Sequence, residues 1–247
     1  MSGRGWAIVT GAARRIGRAL ALAAARAGHD VLVHHRASAD DARETARLVR
    51  DLGRRAEVFA LDLTDPASGA RLLAAVPGTA TLLVNCASIF LDDRIETLTE
   101  ETLAAALTVN LVAPVLIAQA FAAALPAGAD GLIVNIVDQR VWRLTPRFFS
   151  YTLAKAGLWT ATLTLAQALA PAIRVNAIGP GPTLASMHQG PADFAAEAAA
   201  VPLAHGPAPE EIAAALAYLI DAPSVTGQMI CVDGGQHLAW RTADVPP

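Results

Sequence analysis

The stretch "IVNIVDQRVWRLTPRFFSYTLAKAG" (133–157) holds three residues whose types and spacing point to proton chemistry. An apolar run stops at a carboxylate, Asp138. Tyr151 follows thirteen residues later, and Lys155 four residues after that. Side chains four apart on a helix share one face. An ammonium about 4 Å from a phenol contributes ~4 kcal/mol at an effective dielectric near 20. That would draw a tyrosine pKa from ~10 toward neutrality and make Tyr151 a general acid for a carbonyl oxygen or an imine nitrogen receiving hydride. Asp138 has two readings. It is either a buried proton-handling carboxyl, raised in pKa by burial and pulled down by Lys155, or a structural ion pair with Arg140, Arg143 or Arg147.

Such groups need a rigid frame, and the rest of the chain spells one out. At 247 residues, 54% hydrophobic and 17% charged, the chain has ample material for a core, and its composition argues against disorder. Short apolar or β-branched runs occur at 7–10, 31–35, 56–61, 81–85, 131–137, 173–178 and 228–232. Helix-like stretches lie between them, near 14–27, 40–52, 66–75, 99–124, 150–169 and 208–221. The runs lack polar alternation, as expected of strands covered by helices on both faces. The expected fold is therefore a single-domain, Rossmann-type, doubly wound α/β structure spanning 1–247, with a seven-stranded parallel sheet. Ligands of such sheets bind beyond the carboxyl ends of the strands. Of the strand ends, only Asp138 is a charge closing an uninterrupted apolar run in mid-sheet.

Composition excludes several classes. A formal net charge of −3 gives no electrostatic case for nucleic acid or an anionic membrane. Arg14, Arg15, Arg18 and Arg36 instead read as small-anion sites. Two cysteines, Cys86 and Cys231, make no disulfide framework, and no Cys/His spacing fits a metal. The start, MSGRGWAIVTG, is too short an apolar run for a signal peptide. The apolar stretch 111–129 contains Gln119 and two prolines and reads as a buried helix. A cytoplasmic globular protein is expected.

"VTGAARRIG" (9–17) reads as strand, glycine turn and helix start. Gly11 permits the turn, Gly17 permits close helix–sheet packing, and free N–H groups at the helix start suit a pyrophosphate. The second strand ends "HHRAS" (34–38), with Arg36 where an NAD site usually carries an acid. Guanidinium groups at Arg36 and Arg15 suit a 2′-phosphate, which favours NADP.

Taken together, these motifs resemble the short-chain dehydrogenase/reductase family along essentially the whole chain. TGAARRIG resembles its glycine turn, Asp62-Leu63 its adenine-side acid and following residue, and NCAS (85–88) its Asn-Asn-Ala-Gly. TVN (108–110) resembles its structural and catalytic Asn, and Tyr151/Lys155 its active pair. PGP (180–182) and VTGQMICVDGG (225–235) resemble its sixth- and last-strand segments. The resemblance implies a cofactor site of Gly11, Arg14, Arg15, Ile16, Gly17, His35, Arg36, Ser38, Asp62, Leu63, Asn85, Ala87, Ser88, Tyr151, Lys155, Pro180, Gly181 and Thr183. It implies that Asn110 kinks a helix and holds a water that relays protons to Lys155. A homotetramer is also implied.

Departures narrow it further. Asp138 stands where the family has Ser, Arg15 replaces the middle glycine of the turn, and Cys86-Ala87-Ser88 replaces Asn-Ala-Gly. Apart from Cys86, these resemble the pteridine reductase and bacterial dihydromonapterin/dihydrofolate reductase branch. Cys86 fits neither pattern and leaves the support of the fourth strand in question. The branch implies a substrate site of Arg15, Ser88, Phe90, Asp138 and Tyr151, with Phe90 stacking on a pterin. An ionised Asp138 would repel a developing alkoxide, whereas a pterin offers N–H donors and imine nitrogens. The expected activity is thus NADPH-dependent reduction of a dihydropterin such as dihydrobiopterin or dihydromonapterin, with dihydrofolate within the range. The alternatives are reduction of ketones or 3-oxoacyl substrates and, in another class, a non-catalytic NADP-binding sensor. The segment 183–206 reads as a substrate lid. His188, His205, Trp142 and Phe148 are further candidates for the pocket wall.

Overall fold

Strands that are mostly apolar on both faces require cover on both sides, and the computed structural model, which describes residues 4–185 and 189–240, supplies it for the central strands. Seven parallel strands, β1 (Trp6–Val9), β2 (Asp30–His35), β3 (Ala56–Ala60), β4 (Ala80–Asn85), β5 (Gly131–Ile136), β6 (Ile173–Pro180) and β7 (Met229–Val232), form one sheet in the order β3-β2-β1-β4-β5-β6-β7. The helices are α1 (Arg15–Arg26), α2 (Ala39–Asp51), α3 (Ser68–Ala74), α4 (Glu100–Leu107), α5 (Ala113–Ala124), α6 (Phe149–Leu169), α7 (Pro191–Ala199) and α8 (Pro209–Ile220). Alternate residues of each strand serve opposite cores. Val9, Val33, Val84 and Val134 pack with Leu20 of α1 and Leu216 of α8. Ile8, Leu32, Leu83 and Ile133 pack with Leu72 of α3 and Ile117 and Phe121 of α5.

The structure adds detail to two expectations, the kink implied at Asn110 among them. The helix foreseen over 99–124 is interrupted by a π-helical turn, Thr108–Val112, with Asn110 fully buried in it. A π-turn widens the helix by one residue. Here it lets the Asn110 amide bond the backbone beyond β4 rather than follow the helix surface. The segment 183–206, read as a loop, contains α7, which starts with Pro191 at its first turn. The stretch Glu100–Ala124 is long and apolar enough for a membrane span. Its residues Ile117, Ala118 and Phe121 nevertheless lie fully buried against the sheet.

The strand order reverses between β1 and β4, and that crevice is held by side chains. Thr10 Oγ1 accepts from the N–H groups of Cys86 (2.9 Å) and Ala87 (3.0 Å). Thr10 thus supplies the support of the fourth strand that Cys86 left in question. Gly11 (φ 66°) comes so near the next loop that a Cβ would lie 2.9 Å from Ala87 Cα, and a Cβ on Gly17 would meet Gly11 O at 2.1 Å. Both positions need glycine for closeness of backbone.

His34 locks the same corner. Its Nδ1 accepts from Gly11 N–H at 3.0 Å, so the ring proton is on Nε2 and is donated to Leu61 O at 2.9 Å. Burial pushes the His34 pKa down to about 4, and burial, helped by Arg4 and Arg54, does the same to His29. An unfolded histidine takes up a proton below ~6.5. These two refuse it until about 4, so their stabilising share is whole above ~6.5 and is lost as the pH falls from there toward 4. Urea denaturation at pH 7 and pH 5 should show a loss of about 2 kcal/mol per histidine, and His34→Gln should remove its share of that pH dependence.

Candidate active site

One cleft of about 1710 Å³ runs across the carboxyl ends of the strands. Its two halves follow from the strand order, with the loops after β1, β2 and β3 on one side and those after β5 and β6 on the other. On the first side lie Gly11, Arg14, Arg15, Ile16, Gly17, His35, Arg36, Ser38, Asp62 and Leu63. Ala87, Ser88, Phe90, Asp138, Tyr151, Lys155, Pro180, Gly181 and Thr183 line the rest. Asn85 and Asn110, expected to contribute to the site, are not on its wall.

Asn85 is 3% exposed and its Nδ2 donates to Asn135 Oδ1 at 2.9 Å, directly across the β4–β5 register. Asn135 Nδ2 in turn donates to Thr162 Oγ1 of α6 at 2.9 Å. The residue type is therefore explained by a buried polar chain joining two strands and a helix. Asn110 Oδ1 accepts from Ser88 Oγ (2.9 Å) and Ile89 N–H (3.0 Å), and its Nδ2 donates to Ile89 O (2.9 Å). The expected helix kink is present, and the side chain spends its hydrogen bonds fixing the loop after β4.

The chemistry group assembles where β5 meets α6. Tyr151 O–H donates to Asp138 Oδ2 at 2.9 Å, and Asp138 Oδ1 accepts from Arg140 N–H at 2.8 Å. Lys155 Nζ donates to Ile136 O at 2.7 Å, and its ammonium is 5.6 Å from the Tyr151 ring centroid. Burial raises the Asp138 pKa above the ordinary carboxyl value, against the opposing pull of Arg140, Tyr151 and Lys155. Burial, then the Asp138 charge and hydrogen bond, push the Tyr151 pKa well above its ordinary value. This reverses the expected drop. The lysine bonds a strand carbonyl instead of the phenol, and the phenol's close neighbour is an acid, so Tyr151 stays a protonated donor. Burial brings Lys155 down to about 8, with Asp138 and Cys86 acting the other way. The ion-pair reading of Asp138 also falls: Arg140 bonds it through the backbone, and Arg147 pairs with Asp92 at 3.2 Å.

Above this group the aromatics stack. Phe90 and Phe148 lie with centroids 4.2 Å apart at 20°, and Tyr151 meets Phe90 edge-on at 4.7 Å. Phe148 is left-handed (φ 55°), a conformation that a bulky residue adopts only when its surroundings impose it. Arg15 is left-handed too (φ 55°), as the glycine it replaces would allow. Its guanidinium donates to Ala185 O (3.0 Å) and Leu184 O (3.2 Å), joining the first turn to the segment after β6.

Other expectations separate. Trp142 is not on the cleft wall; it packs against Trp159 and His237. His205 is exposed and off the wall, while His188 lies outside the described residues. The fold gathers Cys231, Asp233 and His237 within 4.8 Å of one another, a cluster that sequence spacing concealed. Asp233 there accepts from the N–H of Gly235 and from the N–H and Nδ1 of His237, and burial holds the Cys231 thiol protonated, up to about 12. The cluster is accounted for as a hydrogen-bonded turn after β7.

Sequence reasoning missed Asp93, whose buried carboxylate accepts from Ser150 N–H at 3.1 Å while its backbone carbonyl accepts from Phe149 N–H at 3.2 Å. The N-cap of α6, Phe148, has no capping side chain, so a distant acid does that work. Only contact in space reveals it. Asp93→Ala should cost about 1–2 kcal/mol in denaturant unfolding, and Asp93→Asn should recover most of it.

A model of the family described as "Enoyl-(Acyl carrier protein) reductase" matches residues 11–237. The structure of FolM Alternative dihydrofolate reductase 1 from Brucella suis, in complex with NADP, superposes with a TM-score of 0.95 at 45% identity, covering 100% of each chain. An uncharacterized oxidoreductase of Mycobacterium tuberculosis is 35% identical over 97% of this chain and 94% of its own. A 3beta-hydroxysteroid dehydrogenase 1 of Eggerthella lenta is 31% identical over 94% and 93%.

Proposed function

Because the chain belongs to the short-chain dehydrogenase/reductase family, with its Tyr151 and Lys155 at the carboxyl end of a Rossmann-type sheet, we propose that it is an NADPH-dependent pteridine reductase acting on dihydropterins or dihydrofolate. The observation that carries the reading is the part-buried hydrogen bond between Tyr151 and Asp138, an acid where ketone reducers have a hydroxyl. The likeness to NADP-bound structures at 45% identity supports it.

The first side of the cleft fits a phosphorylated dinucleotide. The N-cap of α1, Arg14, offers no side-chain acceptor and the first turn has no acid, so its N–H groups are open to an anion. Arg15, Arg36 and Ser38 would hold the 2′-phosphate. Asp62, whose Oδ1 already accepts from Thr64, keeps its other oxygen for the adenine side. Ala87, Ser88, Pro180, Gly181, Thr183 and Lys155 would line the nicotinamide side. NADPH, when bound, supplies the hydride.

The protein's own part is the proton. With Asp138 ionised, the Tyr151 hydrogen is committed to the carboxylate. When Asp138 takes up a proton, its O–H donates to the phenol oxygen and frees the phenolic hydrogen for a ring nitrogen. Asp138 and Tyr151 titrate as a pair, and the raised carboxyl pKa keeps the loaded form within reach. Lys155, near neutral at about 8, sits beside the pair to return protons. Phe90 gives the flat apolar face for the ring, and the segment 183–206, joined to Arg15, serves as a cover. A cytoplasmic homotetramer belongs to this reading, and Leu153 and Leu163, exposed along α6, offer apolar surface for assembly.

NADPH oxidation followed with dihydrobiopterin, dihydromonapterin, dihydrofolate and an acetoacetyl thioester tests the reading. Turnover of the thioester alone would sink it in favour of a ketone reductase, and NADPH binding without turnover would mark a sensor. Tyr151→Phe should lower kcat about 10²- to 10⁴-fold, and Asp138→Ser should lower pterin turnover far more than NADPH affinity. With Asp138 acting in its protonated form, kcat should fall as pH rises through the pair's pKa, and Asp138→Asn should abolish that limb.

A further inference from the structure

The chemistry end of the cleft carries three arginines that the proton transfer does not use: Arg140, Arg143 and Arg147. They lie on the segment after β5, which is separated from β2 and its Arg36 by β1 and β4. They are therefore on the wrong side of the crevice for a 2′-phosphate. The Arg140 guanidinium lies 4.8 Å from the Phe148 ring centroid and 5.8 Å from that of Phe90, and Arg147 lies 5.2 Å from Phe148. Flat cations laid on aromatic faces are held ready in orientation.

Their charge is poorly balanced by the protein. The Arg140 Nε–H is buried without an acceptor. Neither Arg140 nor Arg143 makes an ion pair among the described residues, and Arg147 has only the half-exposed Asp92. The Arg140 charge acts on Asp138 without an ion pair, the oxygens of Asp138 being taken by the Tyr151 O–H and the Arg140 backbone N–H, and the Glu197 oxygens accept from Gln189 and Gln236. Three guanidiniums gathered on one rim repel one another and focus a field that attracts an anion. Arginine's planar fork matches a carboxylate in bidentate fashion.

We propose that Arg140, Arg143 and Arg147 are specificity-determining residues that read a carboxylate-bearing aromatic tail on the substrate, favouring a pteridine with such a tail over one with a short neutral side chain. The proposal rests on the pteridine reading above. The flat surface of Phe148 and Arg140 suits the aromatic spacer, and Arg143 and Arg147 suit its carboxylates.

The test compares KM for dihydrofolate, dihydrobiopterin and a phosphate-tailed dihydropterin in wild type and the Arg143→Gln/Arg147→Gln variant. Dihydrofolate should bind about tenfold better than dihydrobiopterin, and the variant should erase most of that ratio. Raising the ionic strength from about 20 to 200 mM should weaken dihydrofolate selectively. A ratio unchanged by the substitutions overturns the proposal, as does a larger arginine dependence for the phosphate tail. Calorimetry of p-aminobenzoylglutamate with the NADP-loaded protein supplies a readout without turnover. Arginine-dependent binding of that fragment in a protein that reduces no pterin keeps the tail site and removes the pteridine reading. Turnover of pterins with no arginine-dependent binding or ratio does the reverse.

Discussion

Everything chemical in this molecule depends on keeping a phenol and a carboxyl from two different elements within hydrogen-bond reach. Asp138 ends the segment from β5, and Tyr151 rides on the first turn of α6. Two attachments fix that helix to that strand, and a third ties its start to the segment after β4. Asp93 holds its N-terminus, Lys155 bonds Ile136 O one turn in, and Thr162 receives the buried amide chain from Asn85 and Asn135. Each is buried, so breaking one strands a polar group away from water, which is costly. The helix is thereby set in both translation and rotation, and the proton between Tyr151 and Asp138 has a fixed address.

The frame was legible in the sequence because burial on both faces leaves a strong signal. Runs such as TLLVN and GLIVNIV became β4 and β5 within a residue or two of their expected ends. The break within 99–124 was not legible by periodicity, since the residues on either side of Asn110 are as apolar as any helix core. Within the cleft, residues carried by local motifs were readable, as at Gly11, Arg15 and Gly17. Those defined by distant contact were not: His34 closes a corner between β1 and β3, and Asp93 caps a helix that starts more than fifty residues later. Asn85 shows the opposite error, a motif residue whose side chain points into the sheet rather than the cleft.

The tyrosine–lysine pair shows why spacing alone misleads about electrostatics. Four residues apart, the two groups do share a face, yet the lysine spends its short hydrogen bond on a strand carbonyl. Burial then acts on each group according to its charge type: it keeps the neutral acid forms of Tyr151 and Asp138 and weakens the cationic form of Lys155. Burial thus raises the two acids and lowers the lysine, and only Lys155 is brought close to neutrality, at about 8.

Thr10 has one more consequence. By accepting from the N–H groups of both Cys86 and Ala87, it relieves the side chain at position 86 of any part in holding the loop. That position lines the cleft, and burial keeps its thiol protonated, up to about 11, while the side chain packs against the core beside β1 and β4. Sequence drift or directed evolution can therefore exchange that side chain for another of similar size without renegotiating the backbone hydrogen bonds of the loop.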